Sequence, residues 1–273
     1  MLRAFLFVLK TVFLAVLLLL FQGIASSLSG ISVSSGGEVR IVLSLFLVYL
    51  AQAGIVGYFV TRSFLRGWKL CILVFAILFG VTTFLTQIET LVFLRYLVAV
   101  VPREVVPRLF LQGFLAALFF TPCVVAVHGK FKGKAEPLPV VLGLSGRWLA
   151  TFVVLSFVYV LVYLGFGSLV FRPLAGRAFE EYYAGLQLPL WILLLQIGRG
   201  FVFVLLGFLV VRSLKVQRWE KSLVVALLFS ILMGFLLLLP NPYMPEVIRL
   251  SHFVEVTLSN FVFGWIVGWW LSA

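Results

Sequence analysis

The sequence predicts an all-α fold, a polytopic bundle of about eight transmembrane helices, and three observations carry the prediction. Charged residues make up only 11% of the 273 positions and hydrophobic ones 63%, whereas soluble domains carry roughly 25% charged residues. With a mean hydropathy of +1.22, no water-soluble core could absorb the apolar surface. The apolar runs are also long, since residues 4–24 hold Lys10 as their one charge and residues 223–239 hold none. A hydrocarbon layer ~30 Å thick is crossed by about 20 helical residues. Finally, the runs lack the period-two alternation of a membrane barrel, and helices and closed barrels are the forms that satisfy their own backbone hydrogen bonds in lipid.

Apolar runs between charged or Gly/Pro/Ser-rich breaks place the spans in order. The first, 4–24, is read as a retained span rather than a signal peptide, because it is long, carries Lys10 and is followed by Gly23-Ile24-Ala25-Ser26-Ser27 without a convincing cleavage site. The second, 41–61, runs from a Ser/Gly-rich stretch to Arg62, and the third, 69–90, follows Arg66-Gly67. Residues 90–101 either prolong the third helix or lie along the interface before Pro102 and Pro107 break the chain. The remaining spans are 107–127, 147–169, 188–211, 221–239 and 247–271.

Basic residues set the expected orientation. Arg62, Arg66 and Lys69 occupy the second loop, Lys130, Lys132, Lys134 and Arg147 the fourth, and Arg212, Lys215, Arg218 and Lys221 the sixth. The odd-numbered loops contain no lysine and carry Glu38, Glu104, Glu180, Glu181 and Glu246. Short basic loops stay in the cytoplasm, so the even loops and both termini are expected there, in a bacterial-type inner (plasma) membrane. Anionic headgroups of the lipid bilayer are the expected partners of those loops. The net charge of +12 is assigned to this topology and not to nucleic acid, for which no recognition motif is present.

An internal repeat emerges from the same rhythm. Arg62-Ser63 followed by Trp68 recurs about 150 residues later as Arg212-Ser213 followed by Trp219, Arg3 matches Arg147, and Phe21-Gln22-Gly23 falls roughly where Gly165-Phe166-Gly167 does. The pattern predicts duplication of a four-helix unit, with halves at 1–140 and 141–273 related by an axis along the membrane normal.

Ionisable side chains inside a bilayer cost roughly 2.5–3.5 kcal/mol at mid-helix, so each needs a partner or a function. Arg199 sits in the middle of the sixth span within Gln196-Ile197-Gly198-Arg199-Gly200. Its flanking glycines would admit a neighbouring backbone, and Gln196 shares its face at i−3. On the last span His252, Glu255 and Ser259 share one face with Asn260 at its edge, and Glu89 lies at the outward end of the third. The expectation is that Arg199 pairs with Glu255 or Glu89 beneath an outward pocket rimmed by His252. The substrate-binding candidates are therefore Arg199, Glu255, His252, Glu89, Gln196 and Asn260. The competing reading is architecture, because polar groups between membrane helices also fix packing and His252 could sit at headgroup level.

Other features read as structure. Gly264 and Gly268 have the GxxxG spacing of close helix contacts, and Trp265, Trp269 and Trp270 suit the inner interface. Residues 172–189 are long enough to form a lid over the bundle, with a solvated outer loop the favoured reading. Cys71 and Cys123 read as buried small hydrophobes. With no Asp in the chain, aspartyl intramembrane proteolysis is excluded, and His128 and His252 are expected at opposite faces, which argues against haem or a His-rich metal site. No glycine pattern for a nucleotide cofactor is present. Glu180-Glu181 lacks the following Arg and the later His motifs of CAAX-type intramembrane proteases.

The run from Arg249 through Ser251, His252, Glu255, Ser259 and Asn260 to Gly264 resembles the tail of uncharacterised bacterial multipass membrane proteins, as residues 166–183 do more loosely. The resemblance implies no activity. The function expected first is transport or binding of a small polar or lipid-like molecule between the halves, with Arg199 anchoring an anion and Glu255 and His252 forming a protonatable gate. The alternatives are an enzyme acting on a lipid-linked substrate at the outer face, with His252 as general base, and a structural subunit using the GxxxG and aromatic faces. Self-association is compatible with all three.

Overall fold

The computed structural model describes residues 1–31, 39–93, 102–133, 146–184, 189–240 and 244–272. Among these there is no strand, and eight helices are long and apolar enough to cross a membrane. The chain is a multipass membrane protein.

The first helix, α1, covers Leu2–Ser29 and stops on Gly30, whose φ of 68° lets its N–H turn back onto the carbonyls of Ser26 and Ser27. Next come α2 at Val39–Arg62 and α3, which starts as Gly67–Phe79, passes through a π-helical turn at Gly80–Phe84 and continues as Leu85–Phe93. Residues up to Phe93 thus prolong the third span, and 94–101 fall outside the described residues. Helix α4 covers Val105–Val127 and tolerates Pro122 in its interior. Helix α5 is Gly146–Phe166 followed by a second π turn, Gly167–Phe171, and a last turn, Arg172–Ala175. A reversal at Gly176, with φ 53°, leads into the short α6 at Arg177–Tyr182. Three spans complete the chain: α7 at Trp191–Ser213, α8 at Arg218–Gly234 with a 3-10 end at Phe235–Leu238, and α9 at Glu246–Leu271.

The chain divides into two compact units. The first comprises Met1–Val92, Val101–Pro137 and Ser213–Lys215, and the second Phe93–Val100, Leu138–Arg212 and Val216–Ala273.

In the first unit several interior hydroxyls bond to their own helix, as Thr11 Oγ1 to the Phe7 carbonyl and Thr82 Oγ1 to that of Leu78. The π turn of α3 brings Thr83 against Gly113 of α4, where a Cβ would collide with the threonine side chain. Between α1 and α4, the Gln112 amide donates to Ser26 Oγ at 2.5 Å. The segments following α2 and α4 are stitched through backbone carbonyls: Gly67 N–H donates to that of Lys130 at 2.9 Å, and the Lys130 ammonium to that of Ser63 at 2.7 Å. The Ser63 hydroxyl also donates to the Ser213 carbonyl at 3.2 Å. Those two serines are the ones that the 150-residue offset aligns.

In the second unit α8 and α9 approach until backbone meets backbone. A Cβ on Gly268 would lie 2.5 Å from Ser222 Cα, and one on Gly264 would lie 2.7 Å from Ala226 Cα. Both glycines are buried, so the GxxxG face is occupied inside the chain. Beneath this contact Phe203, Phe229, Phe263 and Tyr159 form an edge-to-face aromatic core.

Candidate functional site

The site in the second unit is assembled on α9. Its inward face buries Ser251, Glu255, Ser259 and Asn260 above Gly264 and Gly268, and the close fit of those glycines on α8 fixes the rotation that turns Glu255 inward. His252 lies one turn earlier. Its Nδ1 stands 3.3 Å from Glu255 Oε2, a long hydrogen bond, with the histidine side chain 23% exposed and the carboxylate 8%. The other ring nitrogen, Nε2, is 2.9 Å from the hydroxyl of Tyr183. A carboxylate only accepts hydrogen bonds, so Nδ1 carries the proton that faces Glu255. In neutral His252, Nε2 therefore accepts from the Tyr183 hydroxyl. In the imidazolium it donates to that oxygen, so one proton reverses the last hydrogen bond in the chain.

The π turn of α5 supplies the floor of this arrangement. A π turn carries one more residue than an α turn would, and here it presents Phe171, whose ring stacks on the His252 imidazole at 3.8 Å between centroids with 16° between planes. Phe171, Ala175 and Ile248 are buried together, and Phe179, Tyr182, Tyr183 and Met244 pack against them. Residues 171–183 are thus a packed cap on the start of α9 and not the solvated loop expected from their polarity. The apolar side of α6, Ala178 and Phe179, is what ties the segment down. Desolvation in this cap raises the pKa of Tyr182.

Arg199 lies deeper, on α7. Gly200 next to it would place a Cβ 3.0 Å from Ser156 Cα and 2.9 Å from Tyr159 Cβ, so glycine here lets α5 approach closely, whereas Gly198 faces open space. Arg199 is 4% exposed. Its Nη1 donates to Gln196 Oε1 at 2.8 Å, and its Cζ stands 5.9 Å from the centre of the Tyr159 ring. Gln196 is fully buried. Asn260, two turns below His252, donates through Nδ2 to the Val256 carbonyl at 2.8 Å, while its Oδ1 is buried with no hydrogen-bond partner.

Of the six candidate residues, the structure brings together His252 with Glu255 and Arg199 with Gln196. The side-chain partner of Glu255 is His252. Asn260 shares the α9 face with Glu255, and Glu89 belongs to α3 in the first unit. Two contributors were not anticipated from the sequence, Tyr183 and Phe171. Tyr183 is separated from His252 by 69 residues, and the one local hint was a Tyr-Tyr pair beside two glutamates. Among the described residues, no three His, Cys or Glu side chains are grouped so as to hold a metal ion. No protein-family model, curated protein or solved structure matches the chain.

Proposed function

We propose that this multipass protein binds and moves a small polar or lipid-like anionic molecule across a bacterial-type inner membrane, with both termini in the cytoplasm. In this reading Arg199 anchors the anion and the Tyr183–His252–Glu255 chain is the protonatable gate at the outer end. The observation that carries it is the nearly buried Glu255 carboxylate joined to a half-buried histidine, whose second nitrogen reaches the cap. Intramembrane ionisable groups are costly enough that a linked titratable series favours proton or substrate handling over packing. Recurrence of Arg-Ser and Trp after a 150-residue offset supports the duplicated halves on which many transporters are built.

The test is proton flux into proteoliposomes, followed with an internal pH dye while organic carboxylates and phosphate esters are offered outside. Glu255→Gln and His252→Asn should abolish anion-dependent flux while melting remains cooperative. Arg199→Lys, which keeps charge and loses the planar fork, should weaken the anion dependence about tenfold, the scale of one charge-assisted hydrogen bond. Variants that shift only the melting temperature would return these residues to architecture.

A second reading has one observation in its favour. His252 held at Nδ1 by a carboxylate has the orientation of a general base, which suits an enzyme acting on a lipid-linked substrate. Chemical turnover of a lipid phosphate ester by the purified protein, lost in His252→Asn, would select it. The structural-subunit reading loses its main support, since Gly264 and Gly268 pack on Ala226 and Ser222 of the same chain.

A further inference from the structure

A second feature lies in the first unit and is independent of the reading above. The segments 62–69, 128–133 and 213–215 carry Arg62, Arg66, Lys69, Lys130, Lys132 and Lys215 and no acidic residue. They are held together as one surface. Gly67 N–H bonds the Lys130 carbonyl, Phe64 N–H bonds the Ser213 carbonyl, and Lys215 Nζ sits 5.4 Å from the centre of the Phe64 ring. Arg66 Nη1 donates to the Lys132 carbonyl at 3.2 Å, and Lys130 Nζ to the Ser63 carbonyl at 2.7 Å.

Those acceptors are neutral carbonyls. They position the cations without cancelling their charge, unlike a carboxylate. Glycine is required to build the surface, since Gly133, at φ 121°, lies under Arg66, where a Cβ would come within 3.2 Å of Nη1. The crowding registers on Lys130, whose pKa is lowered by burial and then by the neighbouring Arg66. A phosphodiester anion between the two would offset that repulsion.

What distinguishes this surface from a site for a soluble anion is its apolar flank. Trp68 and Ile72, four residues apart on one face of α3, are 66% and 68% exposed. Trp68 also meets Phe131 edge-on at 5.2 Å. An exposed tryptophan beside cations, with a bare aliphatic side chain one turn further along a membrane span, matches the boundary between headgroup and acyl chain.

We propose that Arg66, Lys69, Lys130 and Lys132 form a binding site for the phosphodiester headgroup of an anionic phospholipid, with its acyl chain lying along Trp68 and Ile72. The experiment uses the full chain in uncharged detergent, titrated with phosphatidylglycerol, phosphatidylcholine or inorganic phosphate and read by native mass spectrometry. Phosphatidylglycerol should be retained at least about tenfold better than phosphatidylcholine, and Lys69→Gln and Lys132→Gln should each weaken its retention about fivefold, the scale of one cation at an anionic surface. These two side chains are exposed, so the variants should melt as the parent does. Arg103→Gln, an exposed cation outside the three segments, should leave retention unchanged. Equal retention of the two lipids, equal loss on Arg103→Gln, or displacement of the lipid by inorganic phosphate at comparable concentration would overturn the proposal.

Discussion

The two units keep their charge in different places. In the second, Arg199, Arg249 and Glu255 are all buried, whereas the buried polar side chains of the first, among the described residues, are serines, threonines and Gln52. A hydroxyl in a helix can place its proton on the carbonyl one turn back, as Ser26 does on Gln22, without a partner from another element. A buried ion does need another element. Arg249 reaches the Leu237 carbonyl, Glu255 is tied through His252 to Tyr183, and Arg199 lies against Tyr159. The difference teaches that the interior of the first unit is held by neutral groups, some bonded locally and some across elements, while that of the second places ions whose partners come from other elements, and geometry of that kind is what binding and gating require.

The sharpest way to break this comparison is at the glycines. Gly268→Val forces a side chain onto the Ser222 backbone of α8, which cannot swing aside, and should cost about 3 kcal/mol, the upper end for overpacking. In the first unit Gly113→Ala meets the Thr83 side chain, its Cβ at 2.8 Å included, so a rotamer change relieves only part of the clash, and the loss should be about 2 kcal/mol. Thermal unfolding followed by tryptophan fluorescence measures both. Equal losses would mean that the first unit is packed as tightly as the second.

Next in size is the His252–Glu255 contact. Glu255→Ala leaves His252 without its carboxylate, and since the histidine keeps some solvent access the expected loss is about 2 kcal/mol, below the 3–5 kcal/mol of fully buried pairs. A double substitution with His252→Ala should cost less than the sum of the single losses. Strict additivity in that cycle would show that the two groups do not act as a unit.

The smallest effect sharpens the contrast from the other side. Gln52 is buried with its Nε2 lacking a hydrogen-bond partner, so Gln52→Leu should be neutral or stabilising by up to ~1 kcal/mol. A clear loss of stability on this change would mean that the first unit also depends on a polar group in its interior.

The sequence by itself determined the class of protein and the position of its spans. Hydropathy is a local property, summed over about 20 consecutive residues, and the run lengths around Lys10, Arg199 and Glu255 sufficed to place each on a spanning helix. Helical period alone likewise set His252 and Glu255 on one face of α9. Only the tertiary structure decided what those faces meet. The GxxxG spacing of Gly264 and Gly268 announces close contact without naming a partner, and the partner is α8 of the same chain. The polarity of residues 172–183 suggests solvent, yet Phe171, Ala175 and Phe179 fold the segment onto α9. Tyr183 reaches His252 across 69 residues because a π turn and a glycine reversal aim it there, and no local pattern records a meeting that depends on how several helices pack at once.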